Sequence, residues 1–361
     1  MHLVTFQQGD LDRDGGGSGP DASRGRSGRL ADAVLGFETL ELLRPGTHRL
    51  GALIPPGPHA GEIVDLNRAL SVKLAEEDAG APEAEADSLL PPDMLSFLER
   101  GEAAIAIARQ AFAWVQRSLG RYDGPDLLRG GVLLPRRDAR LCAPVPKPGK
   151  IVGVARNYAA HAAERGAEAP EEPVLFVKAS SAVIGPGDDI VLPAASERVD
   201  YEGELAVVIG RTAHLVSAQT ALDHVAGYTV ANDVTARDFQ NTRGQRFLGK
   251  SCDTFAPMGP VLVTRDQVGD PQKLRLETRL DDKIVQSAIT GEMIFGVADL
   301  IVFATRLMTL HPGDILLSGT PAGVGAAATP PRYLRDGDVV DVEIERIGQL
   351  RNHVTRGTGR G

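Results

Sequence analysis

Two glutamates separated by a single glycine, Glu202-Gly203-Glu204, open the apolar run Leu205–Ile209. On a strand, residues i and i+2 share a face and lie about 6–7 Å apart. The two carboxylates therefore project together beside an apolar segment, where like charges repel and lose hydration. A hard divalent cation answers both costs, and Mg2+ takes oxygen ligands while keeping positions for water or substrate. An isolated Glu-x-Glu also fits a strand end at which both carboxylates meet solvent or Arg198. Asp233 closes the run His224–Asp233 and offers a third carboxylate from the end of a neighbouring strand. Asp after Asn is equally a common turn element.

His161 and Glu164 follow the apolar run Lys150–Ala155. At a spacing of three on a short helix they share a face. A carboxylate that accepts from one imidazole nitrogen fixes the tautomer and raises the basicity of the other, which makes a water-activating pair. The bland reading is an exposed helical pair contributing a few tenths of a kcal/mol. Lys250 stands among few other charges and suits developing negative charge. Arg237, close behind Asp233 and followed by Gln240, suits a carboxylate through its bidentate fork. Each of these cations is also compatible with an ordinary solvated surface charge. Ser318–Gly325 is a glycine-rich loop without the lysine of a nucleotide-binding loop. Its backbone N–H groups and the Thr320 hydroxyl can approach a small anion.

The elements that must position these residues are short. Nine Val/Ile-rich runs bounded by Gly, Pro or Asp lie at 150–155, 173–178, 189–193, 204–210, 224–233, 259–264, 274–280, 314–319 and 338–347. They read as strands, with helices at 158–165, 218–222 and 296–310. Upstream, 1–8 reads as a strand and 93–119 as a long helix interrupted near Gly101. Residues 76–88 read as an acidic, solvated linker. The Gly/Ser/Arg/Asp-rich stretch at about 10–29 has too little apolar content to order itself and reads as a flexible insertion. The fold class is mixed α+β and β-rich, with an N-terminal domain over 1–147 and a catalytic domain over 148–361.

The formal net charge is −9, and no Lys/Arg stripe is interleaved with aromatics, which excludes a phosphate-neutralising nucleic-acid binder. The two cysteines, Cys142 and Cys252, form no Cys-x-x-Cys pair. With no signal-peptide pattern and no apolar run long enough to span a bilayer, the expectation is a cytoplasmic protein without membrane contact.

Taken in order, the segments NYAAHAAE (157–164), VKASSAVIGPGDDIVLP (177–193), DYEGELAVVIG (200–210), NDVTARDFQ (232–240), GKSCDTFAPMGP (249–260) and SGTPAGVG (318–325) resemble the fumarylacetoacetate hydrolase family. The version of the fifth segment is most similar to bacterial members described as 2-hydroxyhepta-2,4-diene-1,7-dioate isomerases or acylpyruvate-type hydrolases. The resemblance spans roughly residues 145–350. It implies a β-roll catalytic domain, a divalent ion (Mg2+ or Mn2+, with Ca2+ also possible) and a homodimer. It also implies roles: Glu202, Glu204 and Asp233 as metal ligands, His161 and Glu164 as the water-activating dyad, and Lys250 as the stabiliser of the oxyanion or carbanion. Lys178, Arg237, Gln240 and Thr320 match positions lining the substrate or metal shell. Arg156, ahead of Asn157-Tyr158, stands where small or polar residues are common in the family.

The expectation is metal-dependent hydrolysis of a C–C bond in a β-diketo acid, an acylpyruvate or fumarylpyruvate, releasing pyruvate or a related 2-oxo acid. The same site supports isomerisation or decarboxylation of a 2-hydroxymuconate or 2-oxo dicarboxylate in aromatic catabolism. A non-catalytic metal- or ligand-binding protein on the same fold is the alternative of another class. The complete set of His161, Glu164, Lys250 and three carboxylates argues against it.

Overall fold

The computed structural model describes residues 1–8, 47–119, 124–242 and 245–357. The expected insertion at about 10–29 lies outside the described residues. The chain divides into two compact units, Leu3–Leu141 and Cys142–Gly361. Among the described residues, no helix is long and apolar enough to cross a membrane.

In the first unit, antiparallel pairing joins strands His2–Gln8, Arg49–Leu53, Ile63–Asp65 and Leu133–Leu134 in that order. Asp65 caps helix Leu66–Glu76 by accepting from the Arg68 N–H, and it is also ion-paired to Arg49. The acidic stretch expected to be a linker is instead largely helical, over Pro82–Leu89. Pro82 sits in its first turn with Glu83 and Glu85, where a ring-fixed φ and negative charge both favour a helix start. Asn67 donates to Asp87 at 2.9 Å, and Arg68 reaches Glu83 at 3.3 Å, so these acids dock the helix. The long helical region breaks where the sequence predicts. Met94–Glu99 and Glu102–Leu119 flank Gly101, whose φ is +64°.

Each of the nine predicted runs in the second unit contains a strand. One sheet has the order 256–264, 225–232, 203–209, 315–317, 151–155, 174–178, all antiparallel except for the parallel pair 315–317 with 151–155. A second, five-stranded sheet has the order 283–289, 275–280, 339–344, 348–356, 190–192. Strands Lys283–Ile289 and Gly348–Arg356 are absent from the sequence reading. In the first, Ile284 and Ile289 face out while Gln286 is buried, which inverts the apolar pattern. In the second, Asn352 occupies an inward position and donates to the carbonyls of Gly185 and Asp188. The helix expected over 218–222 is a 3-10 turn at Ala221–His224, and the helix expected over 296–310 spans Val297–Thr305.

The two sheets meet at Gly203. A Cβ there would lie 2.2 Å from Thr278 Oγ1 and 3.0 Å from Val342 Cγ1, both on the second sheet. The glycine between the two glutamates is therefore required by packing on the face opposite the carboxylates. Gly203→Ala should lower stability by about 1–3 kcal/mol through overpacking. Adding Thr278→Ala, which removes the nearer clash, should recover part of that loss in thermal denaturation. Unchanged melting in Gly203→Ala would contradict the packing assignment.

Candidate active site

Register gathers the chemistry at one edge of the first sheet. Gly203 pairs with Asn232, Ala206 with Leu317, and Leu317 with Gly153. The start of strand 203–209 thus lies beside the ends of strands 225–232, 315–317 and 151–155. Glu202 and Glu204, Asp233, the loop 318–325 and the segment carrying His161 follow from those ends. Asn232 Oδ1 accepts from the Glu202 N–H at 2.9 Å, and the Glu202 carbonyl accepts from the Asp233 N–H at 2.8 Å. These bonds tie two of the carboxylate-bearing residues together.

One oxygen from each of Glu202, Glu204 and Asp233 lies within 4.8 Å of the others, and all three residues are buried. Lys250 Nζ contacts Glu202 Oε2 at 2.5 Å and also Asp233 Oδ2. Lys178 Nζ donates to Asp233 Oδ1 at 2.5 Å and to the Val234 carbonyl at 3.1 Å. Arg237 donates through Nε to Asp200 at 2.9 Å, and its Nη2 lies 2.7 Å from Glu202 Oε1 as an ion pair rather than an aligned hydrogen bond. Four buried carboxylates, with Asp200 as the fourth, therefore face three buried cations.

The surplus negative charge falls on Glu204. Burial, then the charges of Asp233 and Glu202, push its carboxyl well above the usual range. Burial also acts on Glu202, but Arg237 and Lys250 outweigh it and hold that carboxyl well below the usual range. For Lys178, burial outweighs the attraction of Asp233 and its pKa falls. Burial acts the same way on Lys250, but there Asp233 and Glu202 prevail and its pKa rises.

His161 sits on helix Ala159–Glu164, its Nδ1 2.7 Å from Glu164 Oε1. A carboxylate at Nδ1 fixes the proton there, which leaves Nε2 as the basic nitrogen. The other Glu164 oxygen accepts from the Gly323 N–H at 2.8 Å. Asn157 clamps the start of this segment by donating to the Phe295 and Ser318 carbonyls and accepting from the Phe295 N–H.

The glycine-rich loop does not offer these N–H groups to a free anion, as the sequence suggested. Gly319 donates to Glu204 at 2.7 Å, Gly323 to Glu164, and Gly325 and Ala326 to Asp200 at 2.8 and 3.0 Å. They serve the protein's own carboxylates. Gly323 has φ +106°, and a Cβ there would lie 1.9 Å from the Val285 carbonyl, so only glycine follows this path. The Thr320 hydroxyl donates to the Gly203 carbonyl at 2.9 Å and accepts from Gln286 at 2.7 Å, so its proton is already used.

A cavity of about 300 Å3 opens on this cluster. His161, Glu202, Glu204, Arg237, Gln240, Lys250 and Thr320 line it together with Arg156, Arg165, Phe176 and Arg246. Lys178 does not line it. Its fully buried ammonium stands behind Asp233 and supports that carboxylate. Arg165, Arg246, Phe176, Asp200 and Gln286 carry no sequence signal comparable to the glutamate pair. Asp200 stands two residues before it, and Lys250 Nζ lies 4.8 Å from the Phe176 ring centroid.

The three clustered carboxylates fit a hard divalent cation. Their donors are all oxygen, and a cation would neutralise the charge that the lysines and Arg237 leave unbalanced.

Residues 150–355 match the family model described as fumarylacetoacetate (FAA) hydrolase C-terminal. The chain is 44% identical over 269 residues to the mitochondrial oxaloacetate tautomerase Fahd2a of Rattus norvegicus, covering 74% of this chain and 81% of the relative. Among solved structures, it is similar to 2-hydroxyhepta-2,4-diene-1,7-dioate isomerase from Mycobacterium marinum, with TM-score 0.56 and 43% identity over 64% of this chain and 82% of that one. It is also similar to maleylpyruvate hydrolase from Sphingobium sp. SYK-6, with TM-score 0.63 and 30% identity over 86% of this chain and 97% of that one. With more than half its length inside the family model and a relative 44% identical over 74% of it, this chain belongs to the fumarylacetoacetate hydrolase family.

Proposed function

We propose that the chain is a divalent-metal-dependent enzyme that interconverts the keto and enol forms of a short 2-oxo acid, with oxaloacetate as the representative substrate. The observation that carries this reading is the meeting, in one cavity of about 300 Å3, of an oriented histidine base and a buried carboxylate set with one negative charge unbalanced. The volume lies within the range of small-molecule sites and accommodates a four-carbon acid. The similarity to an oxaloacetate tautomerase supports the same choice.

Glu202, Glu204 and Asp233 would hold the ion, Mg2+ or Mn2+. When bound, it supplies Lewis-acid polarisation of the 2-oxo group. His161 Nε2 takes the proton from C3, because Glu164 holds the other nitrogen protonated and stabilises the imidazolium that forms. The C3–H electron pair becomes the C2–C3 double bond, and the His161 imidazolium returns the proton, directly or through water, to the oxo oxygen, which completes the enol and restores the base. No atom enters or leaves the pair. Lys250, fixed beside Glu202 and Asp233, stabilises the negative charge that develops on the oxygen.

C–C hydrolysis is the second reading. The same dyad can instead deprotonate a water that attacks a distal carbonyl, and the similarity to maleylpyruvate hydrolase favours it. Following 2-oxo acids by NMR with Mg2+ present separates the two. Accelerated keto–enol interconversion without new carbon fragments is the expected result, and pyruvate released from an acylpyruvate would favour hydrolysis. His161→Ala should lower turnover by about 10²–10⁴-fold, with Glu164→Gln milder because it keeps the shape and loses the charge. Wild-type turnover in His161→Ala would overturn the assigned base.

The charge imbalance also predicts a pH dependence. With its pKa raised, Glu204 binds a proton more tightly in the folded, metal-free protein than in the unfolded chain. That contribution to stability is fully present below the unfolded carboxyl value of about 4.3 and is lost as pH rises through the folded value. A metal competes with this proton, so Mn2+ should raise Tm more at about pH 8 than at about pH 5.5. Glu204→Gln should fold and lose most of the Mn2+-induced rise in calorimetric melts. An equal rise at both pH values, or in the variant, would contradict the assignment.

A further inference from the structure

The cavity holds more positive charge than the proton transfer needs. Arg237 and Lys250 are paired with buried carboxylates. Three other arginines that line it, Arg156, Arg165 and Arg246, have no ionic partner among the described residues. Their placement is ordered by depth. Glu202, Glu204 and Lys250 at the acidic end are buried, whereas Arg156 and Arg165 are half-buried and Arg246 is exposed.

Two elements supply this cationic end. Arg156 precedes and Arg165 directly follows the helix Ala159–Glu164 that carries His161. Arg246 opens the helix Arg246–Lys250, one turn from Lys250 and therefore on the same side of it. Arg156 has φ +58°, a left-handed conformation that a residue with a Cβ rarely adopts. Backbone of this kind persists where the surroundings impose it, and it concentrates at ligand sites. Three arginines without an ionic partner among the described residues thus line one cavity. An anionic ligand group with two oxygens supplies the missing counter-charge and matches the planar fork of arginine.

We propose that Arg156, Arg165 and Arg246 bind the second carboxylate of the substrate and are specificity-determining residues that select a 2-oxo dicarboxylate over a 2-oxo monocarboxylate. The inference rests on the tautomerase reading for its chemistry. The 2-oxo-acid end must lie by the buried carboxylates and His161, which directs the far end of a short substrate towards the arginines. Gln240, whose Oε1 accepts from Arg237 at 3.2 Å, belongs to the paired end rather than to this group.

The test compares oxaloacetate with 2-oxobutyrate, which has the same chain length and no second carboxylate. Deuterium exchange at C3 is read by NMR for wild type, Arg156→Gly, Arg165→Gln and Arg246→Gln, with Arg156→Lys as the conservative control. Arg156→Gly removes the guanidinium and suits the backbone. In each neutral variant, kcat/KM for oxaloacetate should fall roughly tenfold or more beyond any fall for 2-oxobutyrate, chiefly through KM. Arg156→Lys should retain part of the preference. Calorimetric binding of the two acids to the Mn2+-loaded protein gives a readout that needs no turnover. A wild-type preference for oxaloacetate that the variants lose supports the inference even if neither acid exchanges, in which case the tautomerase reading alone fails. Equal wild-type affinity for the two acids, or parallel losses for both in the variants, overturns it.

Discussion

Four carboxylates and three ammonium or guanidinium groups are packed together out of water, and the resulting excess of one negative charge constrains the rest of the site. Asp200, Glu202, Glu204 and Asp233 are buried beside Lys178, Arg237 and Lys250. Taking one cation away from such a set leaves an uncompensated buried charge, which is far more costly than the loss of an exposed pair. The arrangement divides unevenly. Glu202 and Asp233 take the lysines, Asp200 and Glu202 take Arg237, and Glu204 is left with the Gly319 N–H. A carboxylate in that position must hold a proton or meet a further cation. The same feature that penalises the metal-free cluster suits it to a hard divalent ion.

The surrounding fold serves this cluster. Gly203 lets the second sheet approach closely behind the two glutamates, and Gln286 from that sheet bonds both the Gly203 N–H and the Thr320 hydroxyl. The loop 318–325 spends its backbone N–H groups on Glu204, Glu164 and Asp200, so a single loop fixes one of the three clustered carboxylates, the partner of the histidine and the partner of Arg237. Tyr201 adds a bond from its hydroxyl to the Gly323 carbonyl at 3.0 Å. The proposed proton transfer would demand positions fixed within a fraction of an ångström. Backbone donors and sheet register, rather than long flexible side chains, hold these groups in place.

Much of this was legible in the residues. Alternation and spacing put Glu202 and Glu204 on one face, and helical spacing put His161 on Glu164. What stayed hidden has physical causes. Strand Lys283–Ile289 turns its isoleucines outward and its glutamine inward because Gln286 has a polar task in the interior, so an apolar-pattern reading passes over it. The acids of helix Pro82–Leu89 suggest a solvated linker, although glutamates after a proline are also a helix start. The resemblance puts Lys178 in the substrate or metal shell without separating the two, and only the fold places its ammonium behind Asp233. Cations without an ionic partner among the described residues, such as Arg165 and Arg246, have no signature in sequence, since whether an arginine is paired depends on residues distant along the chain.

The central claim is that Glu204 carries the unbalanced charge and exchanges a proton for a metal ion. Infrared spectroscopy of protein with 13C-labelled glutamate carboxyls tests it most directly, with Mg2+ titrated into the metal-free protein at a pH where exposed carboxyls are ionised. The account predicts a protonated-carboxyl band that is missing in Glu204→Gln and that disappears as one equivalent of Mg2+ is added. A metal-free protein with every glutamate ionised, or a protonated band that Mg2+ leaves unchanged, would contradict it.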